Sequence, residues 1–183
     1  VGTAGLVAGA MSMAAGEYIS VRTQREFAEH QIGLERAELA RYPEEEAEEL
    51  ALIYQARGME LSAARAFTQR LVRDPEVALD TLAREELALD PAQLGKPLGA
   101  ALASFAAFAA GAAIPLLPFL FELARPIQAA IALAAGGLFA VGCGLALFTG
   151  RGFLWSGVRM LLVGASAGAL TWWIGSLFGA ALA

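Results

Sequence analysis

Two groups of residues in this 183-residue chain carry types and spacings that point to chemistry, and both are carboxylates. The first is Glu17, the one acidic side chain in an otherwise apolar opening stretch, with Met13 four residues before it. Residues four apart share a helix face, so Gly5, Gly9, Met13 and Glu17 form one stripe: two small residues, a thioether and a carboxylate. A charge inside a membrane helix costs about 2.5–3.5 kcal/mol on insertion scales, and its default reading is an ion or proton site facing protein or water. The competing reading places Glu17 at the membrane interface, hydrated, because Arg22 follows only five residues later. The second group is the pair of Glu-x-x-Glu motifs, Glu35/Glu38 and Glu46/Glu49, each on one face of a helix. If Tyr42-Pro43 turns the chain into a helical hairpin, the two pairs meet, and Glu85 and Glu86 further along can complete the cluster. Crowded carboxylates repel, and a divalent cation relieves the repulsion. Oxygen ligands at this spacing suit Fe(II), Mn(II), Zn(II), Mg(II) or Ca(II) without choosing among them. Glu-rich helix faces are ordinarily just solvated, so spacing alone leaves that alternative standing.

The elements that position these residues follow from composition. The chain is 57% hydrophobic with mean hydropathy +0.56, and its charge is concentrated in one place. Between Arg22 and Lys96 stand sixteen acidic and ten basic side chains, a net of minus six, whereas residues 1–21 and 97–183 are almost uncharged. That pattern describes a membrane body with an acidic, helical insert. A net charge of −5 and a pI near 4.9 argue against nucleic acid as a partner, since phosphate binding needs a basic surface.

A membrane-spanning helix needs about 20 mostly apolar residues. Four segments qualify: residues 1–21, 97–121 (interrupted by Pro115 and Pro118), 127–148 and 153–182. The fold class is therefore all-α membrane protein, with abundant Gly and Ala to let helices pack closely. If the spans alternate, Arg22, Arg25, Lys96, Arg151 and Arg159 fall on one side and Arg125 on the other, so the insert is expected to face the cytoplasm. Trp155, Trp172 and Trp173 suit interface positions, or, for the last two, packed ones.

The insert, residues 22–96, reads as helices throughout. The first continues the membrane helix to about Arg41, the second starts at Pro43 and stops near Arg57-Gly58, the third is capped by Ser62 and ends at Arg73, and the fourth runs from Asp74-Pro75 to Asp90-Pro91. Leu50, Ile53, Leu61, Phe67, Leu71, Val72, Val77, Leu79, Leu82 and Leu87 supply a small core, marginal alone and helped by a second copy or a bound metal. His30, the lone histidine, reads as a solvated residue, and the single Cys143 allows no intrachain disulfide. No nucleophile–base arrangement, HExxH or phosphate loop is present, so the expectation is not an enzyme.

The run Ala8-Gly9-Ala10-Met11-Ser12-Met13-Ala14-Ala15-Gly16-Glu17-Tyr18-Ile19-Ser20-Val21 resembles the second membrane helix of the vacuolar iron transporter family in its bacterial form. Pro115-Leu116-Leu117-Pro118 and Met160-Leu161-Leu162-Val163-Gly164 are similar to later spans of that family, and the order of helix, helical insert and three spans matches. The resemblance implies five membrane helices, of which the first, with a functional Asp, precedes this sequence. It implies a homodimer that moves Fe(II), with Mn(II) as the alternative ion, out of the cytosol in exchange for protons. The family's pore methionine falls on Met13, with Glu17 in the same motif and path. Its metal-binding glutamates fall on Glu35, Glu38, Glu46, Glu49 and Glu86, where Zn(II) or another divalent ion is also accommodated. The family's plant members place methionine just before that last glutamate, where this chain has Leu82 and Ala83, which loosens a preference for Fe(II) over Mn(II). The expected setting is a multi-pass protein surrounded by membrane lipid, in the inner membrane if the source is bacterial. A rival reading is a membrane-anchored metal sensor or adaptor without transport; Glu17, which an anchor does not need, argues against it.

Overall fold

The computed structural model describes residues 2–181, with side chains to residue 179; Val1, Leu182 and the expected end of the last span there lie outside the described residues. Among them every regular element is a helix: α1 (Gly2–Arg41), α2 (Pro43–Ala56), α3 (Leu61–Leu71), α4 (Pro75–Glu85), a 3-10 turn at Pro91–Gln93, α5 (Pro97–Leu120), α6 (Pro126–Thr149) and α7 (Phe153–Ala181). Four of these, α1, α5, α6 and α7, are long and apolar enough to cross a membrane. The chain is an all-α membrane protein. It divides into two compact units, Met13–Ala103 on one hand and Val1–Ser12 with Ser104–Ala183 on the other.

In the first unit, α1 continues without a break from apolar to charged sequence, as the absence of Gly-Pro punctuation before Tyr42 requires. Gly33 sits inside it with no interruption. Tyr42 leaves helical geometry (φ −134°, ψ 53°), and Pro43 restarts the chain as the first residue of α2, with Glu44, Glu45 and Glu46 in its first turn. Gly58, at φ +98°, takes the left-handed turn after α2 that an L side chain resists.

Three boundaries differ from the sequence reading, the smallest being the end of α3 at Leu71 rather than Arg73. The cap of α3 is Glu60, not Ser62: the Glu60 carboxylate accepts hydrogen bonds from the Ser62 and Ala63 N–H groups, both at 3.0 Å. A carboxylate at that point serves the exposed amides as well as a hydroxyl does, and adds charge favourable to the helix dipole. The fourth helix stops at Glu85 rather than Asp90; Ala88 turns left-handed (φ 53°), and Asp90 caps the short 3-10 turn instead.

The core of this unit joins Leu39 of α1, Leu50 of α2 and Ala78, Leu79 and Leu82 of α4, with Ile32, Tyr54, Leu71 and Val72 packed around them. Of the expected core residues, Phe67 and Val77 remain 40% and 48% exposed. Phe67 instead packs edge-on against Tyr54, with ring centroids 5.5 Å apart.

In the second unit, α6 and α7 pack through small residues. A methyl built on Gly142 would lie 2.5 Å from the Ser156 carbonyl oxygen and 2.9 Å from the Gly157 Cα, so only glycine permits this approach. Buried Cys143 donates its thiol to the Phe153 carbonyl at 3.5 Å. The helix α5 runs through Pro115 and Pro118, correcting the expected interruption. Each proline removes one backbone donor, but a membrane helix tolerates that where neighbours and local adjustment satisfy the freed carbonyls. Phe148, Trp172 and Leu147 are 75–89% exposed, which is what a lipid-facing surface looks like in a single chain. Trp155 and Trp173 are exposed as well.

Candidate metal centre

Three helices of the first unit bring their carboxylates together. Glu35 lies six residues before the end of α1, Glu46 in the first turn of α2, and Glu86 caps the C-terminus of α4. The corner at Tyr42-Pro43 folds α2 back, and the apolar contacts of Leu39 and Leu50 with Leu79 and Leu82 hold α4 against both. Each of the three glutamates offers a carboxylate oxygen, and these oxygens all lie within 4.8 Å of one another.

Burial separates this cluster from an ordinary acidic face. Glu35 and Glu46 are only 6% and 5% exposed, while Glu86 is open to solvent. One oxygen of each buried carboxylate, Glu35 Oε2 and Glu46 Oε2, is sealed from solvent and accepts no hydrogen bond. A buried charge without a partner is strongly unfavourable and shifts its titration so as to neutralise itself. Both carboxyls accordingly have their pKa pushed up to about 7. Desolvation is the largest cause for each; then Glu86 repels Glu35 and Glu35 repels Glu46, with Glu38 and Glu49 adding to both. Glu86 is shifted upward as well, by desolvation and then by Glu49 and Glu38.

Arginines neutralise neighbouring acids and leave these alone. Arg65 of α3 grips Glu48 of α2 with two nitrogens, at 2.8 and 2.6 Å, and holds its carboxyl below the usual range. Arg57 pairs with Glu85, so Glu85, considered from its position as a possible further ligand, is engaged elsewhere. Arg84 is shared between Asp80 and Asp90. No Lys, Arg or His pairs with Glu35, Glu46 or Glu86 among the described residues.

Of the five glutamates singled out in the insert, the fold thus gathers Glu35, Glu46 and Glu86. Glu38 and Glu49 stand outside the three-oxygen group, exposed, and contribute negative potential. Three converging carboxylates make a hard, all-oxygen donor set of the kind that divalent cations such as Mn(II), Mg(II) or Ca(II) favour and Fe(II) accepts. The second sequence-level candidate lies far along the same helix: eighteen residues separate Glu17 from Glu35, about 27 Å of α1. Met13 is 48% exposed and Glu17 is exposed too, the two sharing a face by their spacing of four. His30 is exposed, as its solvated reading expects. Leu82 and Ala83 are fully buried, and Leu82 belongs to the core. What sequence reasoning missed is Arg57, whose pairing sets Glu85 apart from Glu86. The signal was its basic charge at the C-cap of α2, but only the fold shows which acid it meets.

The chain as a whole also resembles known proteins. Residues 1–176 match the family described as the VIT family. A protein named vacuolar iron transporter from Acanthamoeba castellanii is 38% identical over 182 residues, covering 95% of this chain and 67% of that protein. Vacuolar iron transporter 1 of Arabidopsis thaliana is 29% identical over 170 residues, covering 92% and 68%. Vacuolar iron transporter homolog 1 of Oryza sativa subsp. japonica is 34% identical over 180 residues, covering 97% and 59%.

Proposed function

The chain belongs to the VIT family, and on that premise we propose that it is a transporter of divalent metal, carrying Fe(II) and, as a second substrate, Mn(II) out of the cytosol in exchange for protons. The observation that carries this reading is the pair of buried, unpartnered oxygens on Glu35 and Glu46 beside Glu86. A cation is the partner they lack.

In this reading the acidic insert faces the cytosol and collects the ion. Glu35, Glu46 and Glu86 bind it directly. Glu38 and Glu49 raise the local cation concentration and retard its loss, an effect of fixed negative potential that weakens with salt. Binding expels the protons that Glu35 and Glu46 hold near neutral pH, so capture is itself linked to pH. Zn(II) fits the same donors and competes there.

The ion then passes to the Met13/Glu17 stripe. A carboxylate binds a hard cation and releases it on protonation, while a thioether binds weakly enough to allow exit. One stripe supplies too few ligands, so a homodimer in which two copies of α1 face each other completes the path. Protons arriving from the opposite side protonate Glu17 and displace the ion.

The test is Fe(II) and Mn(II) flux in sealed proteoliposomes, with and without a pH gradient. Metal flux that rises when a proton gradient runs in the direction opposite to the metal, and disappears in Glu17→Gln, supports the reading. Metal binding without flux would favour a membrane-anchored sensor or adaptor instead.

A further inference from the structure

A second charged site lies where the apolar part of α1 gives way to charge and α5 begins, and it has the opposite sign. Tyr18, Arg22 and Arg25 of α1 and Lys96, Pro97 and Leu98 line one cavity of about 240 Å³. From its geometry we propose that this cavity binds the phosphate headgroup of an anionic phospholipid.

The cations are held in place by backbone packing. Gly95 sits so close to α1 that a methyl there would lie 2.7 Å from Val21 Cγ1, which fixes Lys96 beside Arg22 and Arg25. The donors are also free. Arg22 and Arg25 each give only Nε to an acid one turn further along α1, Glu26 and Glu29. Their terminal nitrogens have no acceptor among the described residues, and Lys96 enters no ion pair there. A guanidinium engaged at one edge keeps donors for a phosphate oxygen, and an ammonium adds a point charge.

The rest of the wall selects a lipid over free phosphate. Pro97 and Leu98 are apolar, Leu98 is 70% exposed, and Leu102 one turn on is 69% exposed on the membrane helix. Apolar surface continuous with a cationic pocket at the end of two membrane spans matches a headgroup whose acyl chains run down the helix. Tyr18 supplies an amphipathic ring of the type common at that depth. The acidic cluster of the insert takes no part, so this site stands or falls independently of metal transport.

The experiment is native mass spectrometry of the full chain released from micelles containing equal phosphatidylglycerol and phosphatidylcholine. The wild type is expected to retain phosphatidylglycerol preferentially. Lys96→Gln, which breaks no ion pair, should lower that enrichment about fivefold, the scale for one basic residue near an anionic leaflet. Adding Arg22→Gln and Arg25→Gln should abolish it, Arg22→Lys with Arg25→Lys should keep most of it, and Arg70→Gln on α3 should leave it intact. Equal retention of the two lipids, or unchanged enrichment in Lys96→Gln, would overturn the proposal. Displacement of the lipid by excess inorganic phosphate would also overturn it, showing a site for the free anion.

Discussion

Glu35 of α1 and Glu46 of α2 face each other across the Tyr42-Pro43 corner, each with one carboxylate oxygen closed off from water and bound by no donor. Two like charges in that position oppose folding unless they are protonated or bridged, and the measurable consequences follow from that opposition.

The first concerns pH. Both carboxyls titrate near 7 in the fold against 4.5 ordinarily. Below pH 4.5 they are protonated in folded and unfolded chains alike and leave stability unaffected. Between 4.5 and 7 the unfolded chain gives up its protons first, so stability falls, and above 7 the loss is complete. For one such carboxyl titrating alone the loss is about 3 kcal/mol. Thermal unfolding of the metal-free protein, followed by circular dichroism, should show the helical insert melting at higher temperature at pH 5 than at pH 8. Saturating Mn(II) should recover the difference.

Removing the charge should have the same effect as protonating it. Glu35→Gln or Glu46→Gln should raise the melting temperature of the metal-free insert at pH 8 while weakening cation binding. A variant that lost both stability and binding would mean that these carboxylates are paired in a way the fold does not show. Glu38→Gln and Glu49→Gln, at exposed positions, should leave stability nearly unchanged and reduce affinity modestly, more so at low salt.

The Arg65–Glu48 pair joins α3 to α2 in the open, with both side chains more than 40% exposed. Arg65→Ala should therefore cost less than about 1 kcal/mol, read as a small shift in unfolding midpoint, and leave metal affinity where it was.

In the membrane body the glycine contacts are far less forgiving. Gly157→Leu would drive a side chain into the Phe139 ring and the Cys143 sulfur, which a single added methyl already approaches to 2.6 and 2.8 Å. Overpacking of this kind costs about 1–3 kcal/mol or more. The variant should lose monodispersity in detergent on mild heating before the wild type does, with cation binding by the insert retained.

Much of this was readable in advance, and the exceptions have physical causes. Helix spacing placed Glu35 with Glu38 and Glu46 with Glu49, and Tyr42-Pro43 marked the corner between them, because those features depend on neighbours in sequence. Which member of each pair turns inward depends on how the helices roll against Leu39, Leu50 and Leu82, a tertiary matter that selected Glu35 and Glu46. Glu85 and Glu86 are adjacent, yet the end of α4 sends one to Arg57 and the other to the cluster. Hydroxyls are common caps and point to Ser62 for α3, but Glu60, two residues earlier, reaches both amides. Pro115 and Pro118 signalled a break that a membrane helix does not have to make.

The central claim is that a divalent cation is the missing partner of Glu35 and Glu46. It is tested most directly by calorimetric titration of Mn(II) into the full chain in detergent at pH 7, in buffers of different ionisation enthalpy so that proton release is counted. With both carboxyls titrating near 7, the account predicts release of about one proton per ion bound, and loss of both binding and proton release in the Glu35→Gln/Glu46→Gln double variant. Binding of equal strength in that variant, or binding with no proton released by the wild type, would contradict it.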